Sequence, residues 1–109
     1  MKRFKCKVIR IDEYEIEFDE SKINNKWLSD FRSYMYKFHS YEEHAEHLAQ
    51  LRARCGEDFY EGYGYISVDG KKPLAVILSK ENESFYEPGI NIRVVSEDRN
   101  CNVEVEKLL

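Results

Sequence analysis

Residues 40–64, SYEEHAEHLAQLRARCGEDFYEGYG, constrain the fold more than any other stretch, because they bracket a helix at both ends and then change period. Ser40 with Glu43 makes an S-x-x-E capping box, in which the serine and glutamate side chains satisfy first-turn amides reciprocally. Gly56 supplies the left-handed residue on which helices commonly end, and Arg52 and Arg54 offset the negative carboxyl end of the helix dipole. Beyond Gly56 the chain turns aromatic and glycine-punctuated. The segment therefore marks the joint between helical and strand parts of an α+β domain.

The flanking segments fill in that architecture. Phe4, Cys6 and Val8 alternate with Lys5 and Lys7, and Tyr14, Ile16 and Phe18 alternate with Glu13, Glu15 and Glu17, the period of a half-buried strand. Ile9 and Ile11 break the parity. We read the region as one long bent strand with a bulge, the alternative being two strands. From Ile23 the period lengthens: Ile23, Trp27, Phe31, Tyr34 and Phe38 share one face of an amphipathic helix that Asn24 can cap. Tyr60–Val68 and Leu74–Leu78 are expected to form a hairpin about Asp69-Gly70, a pair suited to a type I′ turn, with Pro73 at a strand start or edge. Ser79–Gly89 reads as a loop, and Ile90–Val95 with Cys101–Val105 as a last strand pair joined by a polar turn near Glu97–Asn100. The expected order is β-α-α-β-β-β-β: an antiparallel or mixed sheet of about five strands with two consecutive helices packed on one face.

A chain of 109 residues rich in aromatic side chains can bury a core without a metal or disulfide, so residues 1–109 are read as a single domain. Cys6, Cys55 and Cys101 are odd in number and lack paired spacing, which suits reduced thiols. No apolar run reaches the roughly 20 residues of a membrane span, and the start lacks a secretory signal's apolar stretch. A cytoplasmic protein without membrane contact is expected. The formal charge of −4 disfavours general nucleic-acid binding, which rests on cationic neutralisation of phosphates. Charge is nonetheless segregated: Lys2, Arg3, Lys5, Lys7 and Arg10 precede an acidic run from Asp12 to Glu20. We expect these runs to face each other on adjacent strands, the alternative being a paired basic and acidic binding surface.

Candidate chemistry is sparse. Arg52 falls inside the apolar arc of its helix, where a guanidinium needs a carboxylate or a ligand, with Glu57, Asp58 and Glu61 as nearby partners. Glu43, His44 and His47 share a helical surface and form a weak metal set, neither H-E-x-x-H nor its inverse, with no further ligand placed by sequence. No metal and no cofactor is favoured. Gly62-Tyr63-Gly64 lacks the third glycine and following helix of a dinucleotide fingerprint, and reads instead as a bulge or as close backbone packing against a helix. Tyr36 and Tyr60 are placed outward, and the adjacent Phe85 and Tyr86 stand in a polar loop, where packing is the first reading and binding the alternative; these four and the Glu13, Glu15, Glu17 row are the candidate partner contacts.

Within residues 41–64, the words EEHAEHLAQLRARCGEDFYEGYG resemble a sequence type of small uncharacterised bacterial and phage proteins. That resemblance covers about a fifth of the chain and implies a prokaryotic or mobile-element origin, a compact cytosolic protein and no catalytic assignment. The expected function is a non-enzymatic protein-interaction module, an inhibitor or adaptor of a host defence complex such as a nuclease. The alternatives are a small metal- or ligand-binding enzyme using His44, His47, Glu43 and Arg52, and a nucleic-acid binder using Lys2, Arg3, Lys5 and Lys7. An exposed edge strand also leaves a homodimer open.

Overall fold

The computed structural model of the chain describes residues 1–56 and 58–109. Alternation builds the first two strands, β1 (Phe4–Ile9) and β2 (Glu13–Phe18). In β2 the glutamates are exposed while Tyr14, Ile16 and Phe18 turn inward against the core. Helix α1 (Asn25–Tyr34) begins where the Asn24 side chain accepts the Trp27 amide at 3.0 Å. Helix α2 (Tyr41–Cys55) begins at Ser40, whose hydroxyl accepts the Glu43 amide at 3.2 Å while the Glu43 carboxylate accepts the His39 amide at 3.0 Å. Gly56 ends it in the left-handed region at φ 61°, its amide donating to the Arg52 carbonyl at 2.9 Å. Both cap readings hold.

The chain continues through β3 (Phe59–Tyr60), β4 (Gly64–Val68), α3 (Leu74–Leu78), α4 (Lys80–Glu83), β5 (Tyr86–Ser96) and β6 (Asn102–Lys107), an α+β architecture. The strands form two sheets, one of two strands in the order β1-β6 and one of four in the order β2-β5-β4-β3. The larger sheet is mixed: β4 and β5 run parallel and its other pairs are antiparallel. Phe31 of α1 and Leu48 of α2 join Ile23, Tyr60, Tyr63, Ile66, Ile90 and Ile92 in one buried cluster, so both helices share a core with the larger sheet.

Four expectations are corrected. A single sheet of about five strands is replaced by two sheets, because the ladder is interrupted at residues 10–12 and 97–101, where the first segment divides into β1 and β2. β5 and β6 are not a hairpin pair: β5 lies between β2 and β4, and β6 lies against β1. Residues 97–101 bend without reversing, since Asp98 donates its amide to Asp12 at 2.8 Å and holds the two interruptions together. The Asp69-Gly70 turn does form, with φ 53° and 75° and a Val68–Lys71 bridge, but Leu74–Leu78 is helix rather than strand. Beside β4 both pairing positions are taken, by β5 and β3, and the turn is tied to β5 through the Asp69 amide on the Ile92 carbonyl at 2.8 Å. Part of the expected loop is likewise α4 and the start of β5.

The two-stranded ribbon gives the chain its length. The principal extents are 57 × 33 × 26 Å and the radius of gyration is 17.6 Å, against about 13 Å for a compact chain of this size. Neither β1 nor β6 contains a fully buried residue, and neither packs extensively on any other element. Among the described residues, no helix is long and apolar enough to cross a membrane.

Candidate functional site: an aromatic groove beside two buried polar clusters

The site is built around the close approach of β4 to the turn before β5. Gly64 has φ +88°, and a Cβ there would lie 2.1 Å from the Phe85 carbonyl oxygen. Only glycine admits that contact, which lets the Tyr65 amide donate to the same oxygen at 2.8 Å. The Phe85 amide in turn donates to the Asn82 carbonyl at 3.1 Å. Backbone bonds thus anchor Phe85 on both sides while its side chain stays outside: the residue is 60% exposed. Phe59, 47% exposed, stands against Tyr65 with ring centroids 5.0 Å apart. Phe59, Gly62, Tyr63, Gly64, Phe85 and Glu87 are among the residues lining an open groove of about 320 Å³. Glu87 is committed on the inner side, accepting from the Trp27 indole at 3.0 Å and the Gly89 amide at 3.1 Å.

Gly62 answers the other reading of the Gly-Tyr-Gly word. Its φ is +90° and a Cβ would meet the Met35 side chain at 2.8 Å, so the backbone here packs against the end of α1. Tyr86 is half-buried, its hydroxyl bonded to Ser67 at 2.6 Å and its ring under Lys72 at 5.3 Å, so it buttresses the groove rather than standing free. Tyr36 is exposed, stacks on Phe38 and meets the His47 ring edge-on. Tyr60, expected to point outward, is 2% exposed and belongs to the core. Its two-residue strand turns the ring under α2 and leaves Phe59 outside.

Arg52 lies where its helical position puts it, but its partner comes from far along the chain. Nη2 meets Glu97 Oε1 at 3.2 Å, with side chains 13% and 11% exposed, and Tyr14 donates to Glu97 Oε2 at 2.8 Å. Asp58 is exposed, Glu61 is exposed, and Glu57 lies outside the described residues. Burial pushes the Glu97 carboxyl up, but the hydrogen bonds from Tyr14 and Arg52 outweigh it and hold the group below the usual carboxylate range. Burial and the Glu97 bond raise the Tyr14 phenol to about 12. The Tyr60 hydroxyl acts on the Arg52 guanidinium, yet neither it nor Arg52 Nε completes a hydrogen bond among the described residues. This cluster clamps α2 to the bend between β5 and β6.

The histidine pair divides. His44 is 0% exposed, with ring centroids of Phe31 at 4.6 Å, Phe38 at 5.0 Å and Trp27 at 5.4 Å, and its Nδ1 lies 2.8 Å from the Tyr63 hydroxyl. Burial drives its pKa down to about 4, so the imidazole is neutral in the native state. His47 is half-buried against Tyr36 and Phe38, and Glu43 is spent on the helix cap. Among the described residues, no group of three His, Cys, Asp or Glu side chains is placed to hold a metal ion.

The buried histidine carries a pH prediction. The unfolded chain takes up a proton near the ordinary value of 6.5 while the folded chain resists it to about 4. The contribution of neutral His44 is complete above pH 6.5 and is lost as pH falls toward about 4, on the order of 3 kcal/mol in all. Denaturant titrations between pH 7 and 4 should show this slope, and His44→Gln should flatten it. An unchanged slope in that variant would contradict the buried neutral imidazole.

The charged runs do not face each other as expected. Lys5 and Lys7 are opposite Glu106 and Glu104 across the ribbon, whereas Glu15 meets Arg93 at 3.3 Å and Glu17 meets Asn91 at 2.6 Å across the larger sheet. Each strand met its charge partner at the far end of the chain, because β6 and β5 supply the neighbours. Glu13, Glu15 and Glu17 form one exposed row, and Lys5 and Lys7 are countered by acids on the same ribbon face. Glu97, Tyr14 and Phe59 were missed as site residues; the alternation of Phe59 with Tyr60 was visible, but its sense was not. No protein-family model, curated protein or solved structure matches the chain.

Proposed function

We propose that the chain is a non-enzymatic protein-interaction module of bacterial or mobile-element origin, acting as an inhibitor or adaptor on a larger complex. The observation that carries this reading is the outward presentation of Phe85 at the rim of the groove, on a backbone held by hydrogen bonds on both sides. An aromatic ring anchored by its own backbone offers large contact area with little ordering cost on binding, the property of interface anchor residues. Phe59 supplies a second apolar contact across the groove. The exposed Glu13, Glu15 and Glu17 row suits a basic partner surface, such as the nucleic-acid channel of a defence nuclease, through charge complementarity.

Affinity capture from a bacterial lysate, with wild-type and Phe85→Ala baits compared side by side, tests the proposal. The wild-type chain should retain a stoichiometric protein that the variant loses by more than about tenfold, with little change in Tm. Recovery of the wild-type chain alone, or equal recovery by both baits, would count against it.

A further inference from the structure

We infer that the β1–β6 ribbon is a self-association surface, its apolar face covered by the same face of a second copy. Register places Cys6 opposite Val105 and Val8 opposite Val103, with Phe4 opposite Lys107, so one face of the ribbon is almost wholly apolar. The other face pairs Lys5 with Glu106 and Lys7 with Glu104. Phe4, Val8, Val103 and Val105 are half to two-thirds exposed. A two-stranded ribbon is marginal in water by itself, and among the described residues no third strand pairs with this one and no helix packs extensively on it.

Charge selects among the ways two copies could meet. Antiparallel pairing of β1 with its copy in the registers centred from Lys5 to Lys7 brings lysine opposite lysine, and pairing of β6 with its copy in the registers centred from Glu104 to Glu106 brings glutamate opposite glutamate. Like charges directly opposite destabilise a ladder. Joining β1 of one copy to β6 of the next relieves the repulsion but is head-to-tail, and such contacts propagate unless the rotation closes. Packing apolar face on apolar face avoids both problems, leaving the compensated charges in water on the outside. The row offers on the order of 500 Å² per copy, so a pair brings about 1,000 Å² together, the threshold for a specific interface.

The Cys6–Val105 pair is the middle apolar pair of the ribbon, so a two-fold packing centred there brings Cys6 near the interface centre. Sedimentation equilibrium on the full chain should give a dimer, and Val105→Glu should raise its dissociation constant at least tenfold while leaving the far-ultraviolet circular dichroism unchanged. In a Cys55→Ser, Cys101→Ser background, a short bis-maleimide should join two copies through Cys6. A wild-type monomer at hundreds of micromolar would overturn the inference, as would a dimer unaffected by Val105→Glu or a monomer whose lysate partner is lost in that variant. The groove variant Phe85→Ala should leave the dimer intact, which separates this inference from the proposed function.

Discussion

Arg52→Met is expected to destabilise the fold by about 3–5 kcal/mol, because it strands the Glu97 carboxylate at a largely buried position. Among the described residues, no other hydrogen bond or ion pair joins the two elements that carry the guanidinium and the carboxylate: α2 on one side, and the bend leading from β5 to the ribbon on the other. Tyr14 still donates to Glu97 in the variant, but one neutral hydrogen bond does not replace a charge. Arg52→Met with Glu97→Leu should recover much of the loss, since replacing both members of a buried pair by apolar groups is far less costly than orphaning one.

The pH dependence sharpens the same prediction. In the wild-type protein the Glu97 pKa is depressed, so the stability it contributes is present above its ordinary value of 4.5 and is lost as pH falls through the lower folded value. Without Arg52, burial dominates and moves the carboxyl the other way, so the Arg52→Met chain is relieved as Glu97 takes up a proton. The gap between wild type and variant should therefore narrow from pH 7 toward pH 4. A gap that widens on acidification would show that Arg52 acts by packing rather than as the counter-charge of Glu97.

Gly64→Ala should cost about 3 kcal/mol or more, through backbone strain at positive φ and collision with a carbonyl group that cannot move without breaking the β4–β5 contact. For a domain of this size that is a fall in Tm of more than about 10 °C. Gly70→Ala is the control. Its φ is +75°, but nothing lies within 4 Å of the added Cβ, so only the conformational penalty of about 1 kcal/mol applies. Equal losses at the two glycines would mean that the approach of Phe85 to Gly64 is not a constraint on the fold. Phe85→Ala, which removes only an exposed ring and leaves the carbonyl in place, should be nearly neutral in stability.

These contrasts show where local sequence reading reaches its end. Caps are written within a few residues of one another, so Asn24, Ser40, Glu43 and Gly56 were legible, as were the alternation of β2 and the tight turn at Asp69-Gly70. The apolar run Leu74–Leu78 is too short for periodicity to separate strand from helix, and the answer depended on β5 already occupying the place beside β4. Arg52 was recognisable as an anomaly, but its partner lies 45 residues away, beyond any helical or strand spacing. Gly62 fits the expected close packing against a helix, whereas Gly64 serves a different contact, with the backbone of Phe85. Phe85 itself could be singled out from its polar setting. What made it an anchor, the glycine that admits its carbonyl, is visible only when the two segments are brought together.

The most direct measurement of the central claim is quantitative affinity capture with wild-type, Phe85→Ala and Phe59→Ala baits, each checked for unchanged Tm. One stoichiometric protein partner is expected on the wild-type chain, lost by more than about tenfold on Phe85→Ala and to a smaller extent on Phe59→Ala. Three folded baits recovering the same partner in equal amounts, or none recovering any, would contradict it.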